Sequence, residues 1–124
     1  MSALSPITMM MLAGEAQEGR EPIWPNNAPH WLDPSDWHGW PVLAIANGEL
    51  HIVAIWSARK GALTRLLEGA RAAGLSPVVV CPVGREMPAI LKHWGWQRKD
   101  IGEGWTHREE WRPRLAAKAL GETR

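Results

Sequence analysis

The sequence contains no phenylalanine and no tyrosine, so tyrosine chemistry is excluded from the outset. Its one cysteine, Cys81, excludes an internal disulfide and a cysteine-cluster metal site, and it is compatible with a reducing cytosol. Long apolar runs are missing too. Residues 7–13 are apolar but too short to span a bilayer, and no Lys or Arg precedes them as a signal peptide requires. Basic residues are scarce in the first half: residues 1–50 hold one basic and six acidic side chains, whereas 51–124 hold thirteen and seven. These features predict a soluble cytoplasmic protein without membrane association. Its C-terminal half can attract an anion, either the phosphates of a cofactor or a nucleic-acid backbone; the competing reading of the same residues is a solvated charged surface.

What the chain has instead is tryptophan. Nine indoles carry all of its aromatic bulk, and each brings an N–H that needs a partner when buried. A length of 124 residues predicts a single domain with one core and one sheet.

The clearest organisation lies between residues 49 and 96. Apolar-rich residues 49–56 read as a strand, and after Gly61 a helical period places Leu63, Leu66, Leu67 and Ala70 on one face. Gly74 stops that helix, Val78, Val79, Val80 and Cys81 form a second strand, and Pro88 opens a short helix that ends at Gly95. Strands joined through a helix lie parallel with a right-handed crossover, and ligands gather near their C-terminal ends. Residues 56–61 and 81–88 are therefore the first places to look for a site.

Antiparallel pairs flank this unit. Asn47-Gly48 predicts a type I′ hairpin between strands at 42–46 and 49–56. Gly102-Glu103-Gly104 predicts a second hairpin, between 96–101 and 105–111, with Trp105, His107, Glu109 and Trp111 on one face. Upstream, Ser5 and Pro6 start a helix over 5–18, with Ile7, Met10, Met11 and Gly14 along one side and Gly19 at its end. Residues 19–41 are proline-rich and carry Trp24, Trp31, Trp37 and Trp40, which predicts an irregular segment packed by its indoles, with Asp33 and Asp36 capping a helical turn. Residues 115–120 add a helical tail. The expected class is α/β (α+β): a mixed sheet with a central parallel pair joined by a crossover helix, preceded by the 1–41 segment and followed by a tail from 113.

The order from Val42 onward resembles the C-terminal core of the GNAT superfamily of acyl-coenzyme A N-acyltransferases. Gly61-Ala-Leu-Thr-Arg-Leu-Leu-Glu-Gly-Ala-Arg-Ala-Ala-Gly74 looks like the family's cofactor-binding helix, and Ala89-Ile-Leu-Lys-His-Trp-Gly-Trp96 looks like its later helix. The resemblance covers roughly residues 42–112. It implies a GNAT-like fold, acetyl-coenzyme A or another acyl-coenzyme A as cofactor, and an amine acceptor. The family's loop reads Arg or Gln, two residues, Gly, any residue, then Gly or Ala, so that backbone N–H groups cradle a pyrophosphate. Ala58, Gly61 and Leu63 stand at those positions, and only Gly61 matches. Trp56, Arg59, Lys60, Gly61 and Ala62 are the implied cofactor-binding residues, with Arg59 and Lys60 supplying charge where Leu63 adds bulk.

Many family members use a tyrosine as acid, and the matching position here is about Leu91. Glu49 or His51 is the candidate base for an ammonium acceptor; a structural hydrogen bond for His51 and a solvated Glu49 are the competing readings. Cys81 is expected to be a buried core residue rather than a nucleophile, given its valine neighbours. His30, Asp33, Asp36 and His38 lack a metal-ligand spacing, and no metal is expected. His107 and Glu109 share a strand face, either as an acid–base pair or as packing.

Two functions compete: a small N-acyltransferase, or a catalytically inactive GNAT-like module that binds a protein or nucleic acid through Trp-rich or Arg-rich surfaces. Compact, tryptophan-heavy chains of this kind resemble small accessory proteins of bacteria and their phages.

Overall fold

Helix α1, Pro6–Gln17, begins where Ser5 accepts from the Thr8 backbone N–H at 3.1 Å, with Pro6 in its first turn. Gly19, at φ +86°, follows its end. Its buried side is not the one along which Ile7, Met10, Met11 and Gly14 lie. Thr8, Leu12 and Glu15 are buried, whereas Ile7 and Met10 are exposed and Met11 and Gly14 only partly covered. The run Ile7 to Ala13 is apolar on nearly every side, so periodicity leaves the inward face undecided and packing chooses it. Glu15 is tolerated there because its carboxylate accepts from Arg20 Nε at 2.6 Å.

The computed structural model describes residues 4–114, and these fall into two compact units that divide between Pro77 and Val78. In the first, a short strand β1, Glu21–Pro22, pairs antiparallel with β2, Val42–Ala46. No sequence signal points to β1. Ile23, Leu32 and Trp37 are buried, and the Trp40 indole donates to the Ile23 carbonyl at 2.8 Å. The proline- and tryptophan-rich segment is thus part of this unit's core. Trp37 is buried with an indole N–H that has no acceptor among the described residues.

Asn47 and Gly48, at φ +52° and +74°, turn the chain into β3, Glu49–Ala54. Both central residues have positive φ, as a type I′ turn demands, and Ala46 lies opposite Glu49. Leu50, His51 and Ile52 are all buried, so β3 is covered on both faces and ends two residues earlier than the apolar run implied. Helix α2, Ala62–Ala72, buries Ala62, Leu66, Leu67 and Ala70, while Leu63 is half-buried. A Cβ on Gly69 would stand 3.0 Å from the Trp31 Cβ, so a small residue is needed where Trp31 meets the helix. After Gly74 strand β4, Ser76–Val80, starts, and Ser76 N–H donates to the Gly48 carbonyl at 3.0 Å.

In the second unit Val78, Val79 and Val80 are buried. Cys81 is not, contrary to the core expectation: it is exposed, at φ +44°. The chain turns at this residue, which takes its side chain out of the valine alternation; its N–H donates to the Glu109 carbonyl at 2.7 Å. Helix α3, Glu86–His93, starts two residues before Pro88, buries Leu91, and stops before Gly95. Strand β5, Gln97–Ile101, pairs antiparallel with β6, Arg108–Arg112. The second hairpin forms, but β6 starts three residues later than expected. Gly104–Thr106 makes a 3-10 turn, held where Thr106 Oγ1 accepts from Glu103 N–H at 3.1 Å, so Trp105 is not on a strand. The predicted helix at 115–120 lies outside the described residues.

The strand order is β1-β2-β3-β4-β6-β5, with β3 and β4 the parallel pair and the other neighbours antiparallel. With α2 connecting the parallel strands, this is the mixed α/β arrangement that the sequence implied.

Candidate functional site

The loop between β3 and α2 carries the residues that the resemblance assigns to a cofactor, and all of them lie in the first unit. Gly61 adopts φ +82° as the N-cap of α2, so glycine is needed there for conformation alone. No side chain caps the helix, and no acidic residue stands in its first turn. Trp56 is half-exposed, and its carbonyl accepts from His38 N–H at 2.7 Å. Ala62 is buried, and Lys60 is exposed and forms no ion pair among the described residues.

Arg59 is not available in the same way. Its Nε donates to Asp36 Oδ1 at 2.8 Å and its Nη2 to Asp33 Oδ2 at 3.0 Å. Arg65, one turn into α2, donates from Nε to Asp36 Oδ2 at 3.0 Å and from Nη2 to Asp36 Oδ1 at 2.6 Å. Asp36 therefore holds two guanidinium groups while only 3% exposed. Fork-to-carboxylate contacts of this kind are the strongest ion-pair geometry available to side chains. A Cβ on Gly61 would lie 2.9 Å from Arg65 Nη1, which places that guanidinium over the glycine where a pyrophosphate would approach a backbone cradle.

Hydrogen bonds from Arg65, opposed by desolvation and reinforced by Arg59, bring the Asp36 carboxyl down to about 2. Asp33 is also held below the usual carboxylate value, first by the Ser35 hydroxyl and backbone N–H. Asp33 keeps the capping role read from the sequence, accepting from Ser35 N–H at 3.0 Å. Asp36 does more than cap. Backbone pairing fixes its position: Ala58 N–H donates to the Asp36 carbonyl at 2.7 Å, and Trp37 bridges Ser57. The segment 33–38 thus ties down the loop through both main chain and side chains.

The candidate bases lie elsewhere on the same strand. His51 is buried, and its Nε2 stands 3.4 Å from Glu49 Oε1, with Glu49 half-buried at the first position of β3. Alternation puts the two on one face. The loop begins beyond Ala54, roughly 16 Å from Glu49 along an extended strand. The fold therefore brings Glu49 and His51 together and leaves both at the other end of β3 from Arg59, Lys60 and Gly61.

In the second unit, Glu110 is buried between Arg108 Nε and Arg112 Nη1, each at 2.8 Å. His107 pairs with Asp100 at 3.2 Å rather than with Glu109, which accepts from the Trp111 indole at 2.5 Å. Asp100 is held below the usual carboxylate value, chiefly by its hydrogen bond from Arg98. Cys81 Sγ accepts from Glu109 N–H at 3.3 Å. Among the described residues no group of three His, Cys, Asp or Glu is placed to hold a metal ion, and no helix is long and apolar enough to cross a membrane.

The hub at Asp36 is not legible in the sequence. Arg59 and Arg65 are 23 and 29 residues away, and no spacing rule links an aspartate in a proline-rich segment to a later helix. Comparison of the chain with protein-family models, with curated proteins and with solved structures finds no match.

Proposed function

We propose that this chain is a catalytically silent, GNAT-like binding module that recognises a protein partner in the cytoplasm. The observation that carries this reading is the commitment of Arg59 and Arg65 to Asp36 and Asp33. A phosphate entering the loop would have to displace these carboxylate contacts, and displacement would leave the buried Asp36 charge without its partners. The partner reading rests on the same accounting elsewhere. Arg98, Arg108 and Arg112 also pair with carboxylates, which lowers what these three can offer a nucleic-acid backbone. Trp56 and Trp94 are half-exposed and Trp105 is fully exposed, and exposed indoles are favoured anchors in protein interfaces. Calorimetric titration with acetyl-coenzyme A tests the proposal: no heat and no thermal stabilisation are expected, and saturable binding overturns it.

The second reading is an N-acyltransferase that moves an acyl group from acetyl-coenzyme A to an amine. The 3.4 Å approach of His51 to Glu49 favours it, because a buried imidazole beside a carboxylate suits proton removal from an ammonium. Lys60 and the first turn of α2, with Trp56, Gly61 and Ala62, would then meet the cofactor. Under this reading the same titration shows binding, and Glu49→Gln lowers turnover while leaving cofactor affinity unchanged.

A further inference from the structure

We propose that β5 is a self-association edge, through which two copies of this chain join by antiparallel pairing of β5 with itself. The proposal goes beyond the recognition reading and does not depend on it. Strand β5 is last in the strand order, pairs with β6 alone, and has all five residues exposed. Such a strand presents a row of backbone donors and acceptors to any second strand.

The charges on β5 say which strand fits. A two-fold axis that pairs antiparallel edges puts one residue opposite its own copy and matches the others symmetrically about it. Centred on Arg98, the pairing sets Arg98 against the partner's Arg98. Centred on Asp100, it sets Asp100 against the partner's Asp100. Centred on Lys99, it sets Arg98 opposite the partner's Asp100 and Asp100 opposite the partner's Arg98, and Gln97 meets the partner's Ile101. Only this register makes two unlike pairs, and directly opposed unlike charges favour strand pairing while like charges oppose it.

The side chains are already arranged for that register. Arg98 and Asp100 share a face and contact each other at 3.1 Å, and His107 uses the same oxygen, Asp100 Oδ1. Asp100 Oδ2 makes no hydrogen bond among the described residues and can accept from Arg98 of the partner subunit. The one unfavourable element is Lys99, which meets the partner's Lys99 across the axis. Its long stem lets the two ammonium groups separate, so it weakens the association without preventing it.

Sedimentation equilibrium of the full chain tests the proposal. A reversible dimer is expected. Arg98→Glu and Asp100→Arg each weaken it roughly tenfold or more, because each turns two attractive pairs into two repulsive ones. Combining Arg98→Asp with Asp100→Arg restores it, since the swapped charges complement each other in the same register. Lys99→Gln tightens it. All three positions are exposed, and circular dichroism verifies that each variant folds. A monomer at every concentration, a dimer indifferent to Arg98→Glu, or a double swap as weak as the single changes overturns the proposal.

Discussion

Asp36 receives Arg65 through two parallel contacts, Nε at 3.0 Å and Nη2 at 2.6 Å, and the same carboxylate binds Arg59 at 2.8 Å. Asp33, three residues earlier, is exposed and binds one guanidinium group, that of Arg59, beside its capping contacts with Ser35. Removing the Asp36 charge leaves two guanidinium groups facing a neutral amide, whereas removing that of Asp33 leaves Arg59 still bound. Asp36→Asn is therefore expected to lower the melting temperature more than Asp33→Asn. Thermal denaturation followed by circular dichroism compares them.

The acid dependence has a defined sign. The folded Asp36 carboxyl sits at about 2, below its ordinary 3.8, so the unfolded chain binds the proton first as pH falls. The stabilisation from Asp36 is fully present above about 4 and is lost as pH drops towards 2. Melting temperatures of the wild type and Asp36→Asn should converge over that window and stay apart, by a constant difference, at higher pH. A gap that persists unchanged at pH 2 would refute the assignment.

Two buried indoles differ in one respect. Trp111 Nε1 donates to the Glu109 carboxylate, while Trp37 Nε1 has no acceptor among the described residues. Replacement by phenylalanine removes similar volume from each. Only at Trp111 does it also break a charge-assisted hydrogen bond, so Trp111→Phe should cost ~1–3 kcal/mol more than Trp37→Phe. Urea denaturation of the two variants measures the difference.

Glycine substitutions should act with opposite signs at two positions. A Cβ on Gly102 would lie 2.3 Å from the Thr106 carbonyl oxygen, and its φ is +75°. Gly102→Ala is expected to cost ~1–3 kcal/mol and to speed amide exchange in the β5–β6 hairpin. Gly14 lies within α1, and a methyl group added there would meet nothing within 4 Å. Gly14→Ala should stabilise by ~0.5–1 kcal/mol. Urea denaturation reads both changes.

Local chemistry accounts for most elements that the chain announces correctly. Ser5 and Pro6 start a helix, Asn47-Gly48 makes the tight turn that its dihedrals allow, and Gly74 ends α2, because each effect acts over a few residues. Cys81 departs from its apolar pattern because a chain reversal at its own backbone overrides the valines before it. Trp105 leaves the strand because Thr106 and Glu103 close a 3-10 turn that alternation cannot reveal.

Composition and short-range periodicity determined that this would be an α/β chain with its aromatic bulk in indoles and with glycine at the head of α2. Which cations remain available was decided by the tertiary structure. Asp36 lies 23 residues before Arg59, and only folding brings a carboxylate from the tryptophan-rich segment against the loop where a phosphate-binding charge had been expected. Ion pairing depends on distance in space, and no local pattern in a sequence carries that distance.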